Sequence, residues 1–281
     1  MAVRGSRTVL HGYGPAEGPA VLAVHGFRGT HFGLEPLARA LGAAGFRVTV
    51  PDLPGAGHST QLRGRHDTAE LGAWLRELGN LLPTSPVLVG HSYGTVIVGA
   101  AISVGVRHAG VVLLNPILRA PLTSSHVLAT AATRLYYALA GRLPERIARR
   151  LLSDPVIAAI GSELMTGTDD QALRTWIRGQ HLRHAGAFSS PAAVLDSYAA
   201  ATAGTVTDYA PPRLGPSLLL GGDRDRLGAT ATQLAEAAAR FGGSSHVFAK
   251  RGHLLPYEEV PGVTRHLTEW YRSRARAGGP D

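Results

Sequence analysis

The sequence contains no cysteine among its 281 residues. Disulfide bonds, thiolate metal sites and cysteine nucleophiles are therefore all excluded. A chain without disulfides fits a reducing compartment, so we expect a cytoplasmic location. The start of the chain agrees with this expectation, because the residues after Met1 lack the long apolar run of a signal peptide.

Nucleotide-binding motifs are also missing. The sequence has neither a G-x-G-x-x-G fingerprint nor a P-loop, so we expect no nucleotide cofactor. His181 and His184 lie one helical turn apart and could together bind a metal, but the sequence shows no third ligand near them. An ordinary surface helix is favoured there, and we expect neither a cofactor nor a metal.

Lysine is almost absent, and arginine carries nearly all of the positive charge. Lys250 is the only lysine, and the formal net charge is +8. A basic chain can bind nucleic acid or an anionic membrane. Here the arginines are interspersed with acids, as in Arg224-Asp225-Arg226, which favours a codon bias of the genome. We expect a small-molecule substrate and no nucleic acid, and the sequence leaves a monomer and a dimer open.

Long uncharged segments are scarce, and one of them requires a membrane check. Residues 87–106 are almost uncharged and long enough to span a bilayer. The run contains Gly90-His91-Ser92-Tyr93-Gly94 near its start. A strand, a glycine turn and a buried helix explain it better, so no membrane partner is expected.

Short apolar runs alternate with helical patterns over much of the chain. Strands are predicted at residues 21–24, 47–50, 87–89, 111–114, 217–220 and 246–248. Helices are predicted at residues 34–44, 68–82, 93–104, 229–241 and 260–274, with Thr68 as the N-cap of the second. This alternation is typical of an α/β domain whose parallel sheet is covered by helices on both faces.

The pattern changes between residues 117 and 211. No convincing strand is found there, and helices are predicted at residues 124–140, 144–152, 169–184 and 191–201. A stretch of this length is too long for a structureless loop. We therefore predict a core made of residues 1–116 and 212–281, with residues 117–211 as a helical insertion.

A G-x-S-x-G motif runs from Gly90 to Gly94 and is centred on Ser92. Its glycines allow a sharp, strained turn from strand to helix, which presents the serine at the helix N-terminus. The pentapeptide alone is weak evidence in a chain with 35 glycines. Since a predicted strand precedes it and a predicted helix follows it, Ser92 is predicted to be a nucleophile.

The acid and the base are expected after the serine, in that order. Asp223 and Asp225 both follow the fifth predicted strand, and we favour Asp225 because it is better placed to reach a histidine. His253 lies between the last strand and the last helix and is the predicted general base. His246 and His266 also follow the acid, but they fall within a strand and a helix.

Backbone N–H groups are expected to form an oxyanion hole. One belongs to Tyr93, the residue after the nucleophile, and the other should lie in the loop after an earlier strand. Phe27 is the candidate for this second donor. His25 is expected to tie the same loop down by a hydrogen bond, and Arg28 could hold a substrate carboxylate or form a surface salt bridge.

The motifs, taken in order, resemble the α/β-hydrolase family, specifically its capped branch of esterases, proline iminopeptidase-like enzymes and C–C bond hydrolases. The resemblance rests on residues 25–26, 52–59, 90–94, 222–225 and 252–253. It implies an α/β-hydrolase fold: a mostly parallel eight-stranded sheet flanked by helices, with the insertion as a cap over the site. A serine nucleophile argues against haloalkane dehalogenases and epoxide hydrolases.

The predicted activity is hydrolysis of a carboxylic ester of a small or medium apolar substrate through an acyl-enzyme. The same three residues would serve a C–C bond hydrolase, a thioesterase or an amidase, and a catalytically silent ligand-binding protein is a third hypothesis. Tyr136, Tyr137 and Trp176 are candidates to line an apolar substrate pocket, although packing within the insertion is the default for each.

Overall fold

The structure, a computed structural model, describes residues 1–119 and 127–276, and a seven-stranded sheet lies at the centre of that part of the chain. The strands are β1 Ala2–Val3, β2 Ser6–Arg7, β3 Leu10–Tyr13, β4 Ala20–Val24, β5 Arg47–Pro51, β6 Val87–His91, β7 Gly110–Leu114, β8 Ser217–Gly222 and β9 Ser244–Phe248. The main sheet has the order β3-β5-β4-β6-β7-β8-β9, and all its neighbours are parallel except β3 and β5. The prediction of a mostly parallel α/β sheet is confirmed.

This sheet has one strand fewer than the eight that the resemblance implies. β1 and β2 do not join it, because they pair with each other in a separate antiparallel hairpin. β3 is an antiparallel edge strand that the sequence analysis missed. Its residues are half-buried or exposed, so it lacks the continuous apolar run that marks the central strands.

Twelve α-helices are found in the described residues. They are α1 Glu35–Ala43, α2 Thr68–Asn80, α3 Tyr93–Ser103, α4 Val127–Ala140, α5 Glu145–Leu152, α6 Pro155–Met165, α7 Gln171–His184, α8 Pro191–Thr202, α9 Val206–Tyr209, α10 Ala231–Phe241, α11 Leu255–Glu258 and α12 Val260–Arg276. None of these helices combines the length and the apolar character that crossing a membrane requires.

The core helices bury both faces of the sheet. α1 and α12 pack on one face, and α2, α3 and α10 pack on the other. β6 and β7 are buried along their whole length, which explains their unbroken apolar sequences. Because β6 and β8 run parallel, their carboxyl ends meet at the same edge of the sheet, and loops from that edge can share a site.

The N-terminus of α2 differs from the prediction in its cap. Asp67, and not Thr68, is the N-cap residue, and its side chain accepts a hydrogen bond from the Glu70 N–H. Thr68 is the first residue of the helix, and its hydroxyl contacts the Tyr93 hydroxyl at 3.0 Å. The two residues are both good caps, and the deeper position of Thr68 against the core explains the one-residue difference.

Helices α4 to α9 lie between β7 and β8, in the stretch where helices were predicted. The prediction missed α6 and α9. For α6 the signal was present, since Asp154 caps the N–H groups of Val156 and Ile157 and Pro155 occupies the first turn. The N-terminal part of the predicted helix 124–140 falls on residues 124–126, which lie outside the described residues.

Candidate active site

Ser92 occupies a strained turn between β6 and α3. Its φ of 54° is a positive value that residues other than glycine seldom adopt. The flanking positions must be glycine, because neither has room for a side chain. A Cβ at Gly90 would lie 2.7 Å from the carbonyl oxygen of Gly94, and a Cβ at Gly94 would collide with the carbonyl oxygen of Val24. The turn therefore depends on both glycines of the motif.

His253 bridges the serine and the acid. Its Nε2 lies 2.7 Å from Ser92 Oγ, and its Nδ1 lies 2.9 Å from each carboxylate oxygen of Asp225. The side chains of His253 and Asp225 are 4% and 1% exposed, whereas Ser92 remains partly accessible. The structure thus brings together three residues that the sequence analysis selected from distant parts of the chain.

The Asp225 carboxylate is surrounded by hydrogen-bond donors. Oδ1 accepts from the backbone N–H groups of Leu227 at 2.9 Å and Gly228 at 2.8 Å, and Oδ2 accepts from the Asn115 amide at 2.8 Å. Burial alone raises the pKa of Asp225, but the nearby His253 and these hydrogen bonds outweigh it and hold the pKa below its usual range. An ionised Asp225 fixes the proton of His253 on Nδ1, which leaves Nε2 as the acceptor.

The alternative acid and bases lie elsewhere. Asp223 is exposed, and its side chain forms no hydrogen bond within the described parts of the chain. The rings of His246 and His266 stack on each other with centroids 4.1 Å apart, between β9 and α12. Neither ring therefore takes the place of His253.

Asn115 is a site residue that the sequence analysis missed. It is fully buried at the end of β7 and has a positive φ of 49°. Its Nδ2 donates to Asp225 Oδ2 at 2.8 Å and to the Gly252 carbonyl at 3.0 Å, and its Oδ1 accepts from the Leu255 N–H at 3.4 Å. Asn115 therefore connects the acid with the loop that carries His253. The sequence signal was a polar residue directly after a buried strand.

The backbone of His253 is held on both sides. Its carbonyl accepts a hydrogen bond from His91 Nε2 at 2.8 Å, and its N–H donates to the Met165 carbonyl at 2.8 Å. Burial lowers the pKa of His91 to about 3, so that this histidine remains a neutral donor at physiological pH. His91, the second residue of the serine motif, thereby positions the imidazole that faces Ser92.

Glu258 joins the insertion to the histidine loop. Its buried carboxylate accepts hydrogen bonds of 2.7–3.3 Å from four backbone N–H groups, those of Gly167, Thr168, Gly252 and Leu254. The first two belong to the segment between α6 and α7, and the last two flank His253. The loop and the insertion are consequently fixed to one common carboxylate.

Replacement of Glu258 by glutamine is expected to destabilise the protein by about 3 kcal/mol, because any orientation of the amide turns an NH₂ group toward N–H donors. The free energy of unfolding, measured in urea, checks this. Glu259→Gln is the matched control. Glu259 pairs with Arg251 at 2.6 Å in a partly exposed position, so a loss of about 1 kcal/mol or less is expected. Equal losses in the two variants would contradict the proposed role of Glu258.

The loop after β4 lies against the serine. A Cβ at Gly26 would lie 2.9 Å from Ser92 Cβ, so only glycine permits this approach. His25 Nδ1 donates to the Gly26 carbonyl at 2.9 Å, and its Nε2 accepts from the Leu53 N–H at 3.0 Å. The prediction that His25 ties this loop down is confirmed by these two hydrogen bonds.

Both predicted oxyanion donors belong to residues beside the serine. Phe27 follows Gly26 in the loop, and Tyr93 is the first residue of α3. Neither N–H donates a hydrogen bond to an acceptor within residues 1–119 and 127–276. The N-terminus of α3 adds a favourable potential for negative charge at this position.

Arg28 binds the insertion. Its guanidinium donates to the carbonyl oxygens of Leu152 at 2.5 Å and Ala185 at 3.3 Å. These two hydrogen bonds occupy the guanidinium that was a candidate to hold a substrate carboxylate. Both acceptors are backbone carbonyls, so neither bond is the surface salt bridge that was the alternative. The geometry favours a role for Arg28 in joining the loop after β4 to the insertion.

The three aromatic candidates of the insertion have different neighbours. Tyr136 donates through its hydroxyl to the Leu151 carbonyl at 2.9 Å, which is packing within the insertion. Tyr137 lies nearer the site, since its ring centroid is 5.9 Å from that of Phe27. Trp176 packs edge-on against Tyr257 at 5.3 Å and is partly exposed.

A small cavity of about 40 Å³ lies between the core and the insertion. Phe27 and Tyr93 line it from the core, and Phe188 and Val194 line it from the insertion. Tyr136, Tyr137 and Trp176 do not line it. The cavity is mostly apolar and has room for a group of only a few atoms in this arrangement of the insertion.

The described residues contain one cluster with the composition of a metal site, formed by His11, His31 and Asp52. The carboxylate of Asp52 is fully buried and accepts from the backbone and Nδ1 of His31, both at 2.9 Å, and from the His58 N–H at 3.2 Å. His11 Nε2 lies 3.4 Å from the same carboxylate. Since N–H donors already occupy its oxygens, the geometry favours a hydrogen-bonded cluster that joins the loops after β4 and β5.

Asp52→Asn is expected to lower the free energy of unfolding at pH 7 by about 3 kcal/mol. Burial raises the pKa of Asp52, but hydrogen bonds from His31 and the proximity of His25 outweigh it and lower the pKa below its usual range. The stabilisation is therefore present above about pH 4 and is lost as the pH falls toward the lower folded-state pKa. Urea unfolding across pH 3–7 should show the gap narrowing below pH 4, with the exposed Asp196→Asn as an unaffected control.

Comparison with known proteins identifies relatives over most of the chain. The sequence profile of the alpha/beta hydrolase family matches residues 21–266. A search of curated proteins gives no match. Among solved structures, a thermophilic esterase from Thermogutta terrifontis is 26% identical, with a TM-score of 0.73 over 95% of this chain and 93% of that chain.

Two further solved structures share the fold at lower identity. An esterase from Exiguobacterium antarcticum is 16% identical, with a TM-score of 0.76 over 97% of this chain and 100% of that chain. An enol-lactonase from Burkholderia xenovorans LB400 is 19% identical, with a TM-score of 0.77 over 97% and 99%.

Proposed function

Because the chain belongs to the alpha/beta hydrolase family, we propose that it is a serine hydrolase that cleaves carboxylic esters through an acyl-enzyme. The observation that carries the proposal is the continuous hydrogen-bonded chain from Ser92 through His253 to Asp225, with contacts of 2.7 and 2.9 Å. This arrangement lets a neutral imidazole accept the serine proton while the carboxylate stabilises the imidazolium that forms.

The proposed reaction has two halves. His253 Nε2 takes the proton of Ser92 as Oγ attacks the ester carbonyl, and the N–H groups of Phe27 and Tyr93 bind the oxyanion. The imidazolium then returns the proton to the leaving alcohol. Water hydrolyses the acyl-enzyme with His253 as base, which restores the serine. Each oxyanion donor contributes about 3 kcal/mol of transition-state stabilisation in related systems.

The proposed substrate is an ester with a small or medium apolar acyl group. The apolar lining of the cavity beside Phe27 and Tyr93 supports this choice. Of the three structural neighbours described above, two are named as esterases and one as an enol-lactonase, and a lactone is a cyclic ester. We propose that residues 117–211 act as the cap, and that a change in its position admits substrates larger than the present cavity.

Fluorophosphonate labelling tests the nucleophile, and ester turnover tests the bond. The wild-type protein should be labelled at Ser92, and hydrolysis of p-nitrophenyl esters should be fastest for short or medium acyl chains. Failure of labelling would favour a silent ligand-binding protein. Labelling without turnover of any ester would move the proposal to thioesters, amides or a C–C bond, for which a meta-cleavage diketone is the test substrate.

A further inference from the structure

The outer side of the insertion exposes large apolar side chains on α4, on α5 and in the turn between them. Leu135, Leu139, Leu143 and Ile147 are 37–57% exposed. They recur every fourth residue, whereas Ala140 on the inner side of α4 is buried. A helix on the surface of a globular protein normally presents polar residues to solvent, so this side of α4 has the reverse pattern.

Unpaired arginines lie among these apolar side chains. Arg134, Arg142, Arg146 and Arg150 are exposed, and none of them forms an ion pair within the described residues. Glu145 is the one acidic residue between positions 131 and 152. Arg134 lies near Tyr198, on the other side of α4. We therefore define the α4/α5 face as Arg142, Arg146 and Arg150 together with Leu135, Leu139, Leu143 and Ile147. It is apolar and strongly basic at once.

The next helix continues the reversed pattern. In α6, Val156, Ile157, Ile160 and Leu164 are 41–63% exposed, whereas Ser162 is buried and its hydroxyl has no hydrogen-bond partner among the described residues. Ile160 and Leu164 line a groove beside Asp223 and Asp225, so α6 is not counted with α4 and α5. An isolated exposed leucine needs no explanation, but the four regularly spaced side chains from Leu135 to Ile147 indicate a surface with an occupant.

We propose that the α4/α5 face binds the surface of an anionic lipid membrane. The leucines and Ile147 would enter the boundary between headgroups and acyl chains, and the arginines would contact lipid phosphates, as in interfacial amphipathic helices. Charge complementarity selects this occupant over a second copy of the chain. A symmetric pairing of two such faces would bring arginines against arginines, whereas an anionic surface neutralises them.

The proposal differs from the expectation drawn from the sequence, which gave no membrane partner because the one long uncharged run, residues 87–106, is better explained by a strand, a turn and a buried helix. Lying on a bilayer requires only one apolar side of a helix and basic residues around it. The inner side of α4 carries Tyr137, whose ring is 5.9 Å from that of Phe27. The proposed docking face and the candidate active site therefore lie on opposite sides of the same helix.

Sedimentation with lipid vesicles tests the proposal. The wild-type protein should bind vesicles of mixed phosphatidylglycerol and phosphatidylcholine, and it should bind pure phosphatidylcholine vesicles at least about tenfold more weakly. Its affinity for the mixed vesicles should fall in roughly 0.5 M NaCl, because salt screens the attraction between arginines and lipid phosphates. Leu139→Ser/Ile147→Ser should reduce binding by about tenfold. Arg146→Gln/Arg150→Gln should remove most of the preference for anionic vesicles.

The matched control is Leu81→Ser/Val104→Ser. These two side chains are 53% and 44% exposed, but they follow α2 and α3 and lie outside the insertion. This control should bind vesicles as the wild type does, and all variants should keep the wild-type rate on a water-soluble ester. Absence of vesicle binding, or equal loss in the control, would overturn the proposal. A dimer in light scattering that Leu139→Ser/Ile147→Ser dissociates would assign the face to self-association instead.

Discussion

Replacement of Ser92 by alanine is expected to reduce kcat for p-nitrophenyl butyrate by about 10⁶-fold, to the level set by binding and the oxyanion hole alone. The reason is geometric. Ser92 Oγ is the atom that faces His253 Nε2 at 2.7 Å, and the positive φ of Ser92 holds it there, so another hydroxyl cannot substitute. Steady-state kinetics and fluorophosphonate labelling measure the loss.

Ser103→Ala is the matched control for this substitution. Ser103 is the last residue of α3, and its hydroxyl donates to the Ala100 carbonyl at 2.8 Å in ordinary helix geometry. Its removal should leave kcat unchanged. Retention of more than a few per cent of activity in Ser92→Ala, with a label found on another residue, would place the nucleophile elsewhere.

Asp225→Asn is expected to reduce kcat by about 10⁴-fold through the wrong tautomer of His253. The N–H groups of Leu227 and Gly228 both point at Oδ1, so the asparagine must place its carbonyl oxygen on their side. Its NH₂ group then faces His253 Nδ1 and the Asn115 amide. Donation from this NH₂ group to Nδ1 favours the tautomer with the proton on Nε2, in which the imidazole can no longer take the serine proton.

Asp223→Asn separates this effect from a general loss of charge. Asp223 lies two residues away, is exposed and has no hydrogen-bonded side chain in the described residues, so its replacement should leave kcat within about twofold. A profile of kcat/KM against pH should show the activity of Asp225→Asn recovering in part at high pH. Equal activity losses in the two variants would indicate that neither aspartate orients His253.

The sequence predicted the parts of the site that short motifs specify. Ser92, His253 and Asp225 could be selected because a tight turn needs its glycines and because chain order restricts the acid and the base. His25 could be assigned to the loop because it follows a strand and precedes glycine. These constraints are local in sequence, and the structure brings the selected residues together.

The residues that hold the site together were missed for a physical reason. Asn115, His91 and Glu258 act through hydrogen bonds to backbone groups that lie between 4 and 162 positions away in the chain. A backbone N–H or carbonyl has no signature in the sequence, so its partner cannot be recognised before the fold is known. A buried polar residue beside a motif is the remaining signal, and each of these three has that property.

The positions of the arginines on the folded surface also could not be predicted from the sequence. In sequence they alternate with acids and alanines, and a codon bias is a sufficient explanation. In the fold, Arg146 and Arg150 lie one turn apart on α5, because four-residue spacing and helix geometry align them, and Arg142 lies in the turn that precedes this helix. Composition gives the amount of charge, whereas the arrangement of helices decides where it is concentrated.

The anchoring of the insertion on Glu258 restricts how this protein can be recombined with its relatives. A foreign insertion grafted between β7 and β8 must return along a path that offers two backbone N–H groups to Glu258, where Gly167 and Thr168 now do so. It must also supply a carbonyl to the His253 N–H in place of Met165. Chimeras that ignore this requirement would misplace the imidazole even though all three reacting side chains were retained.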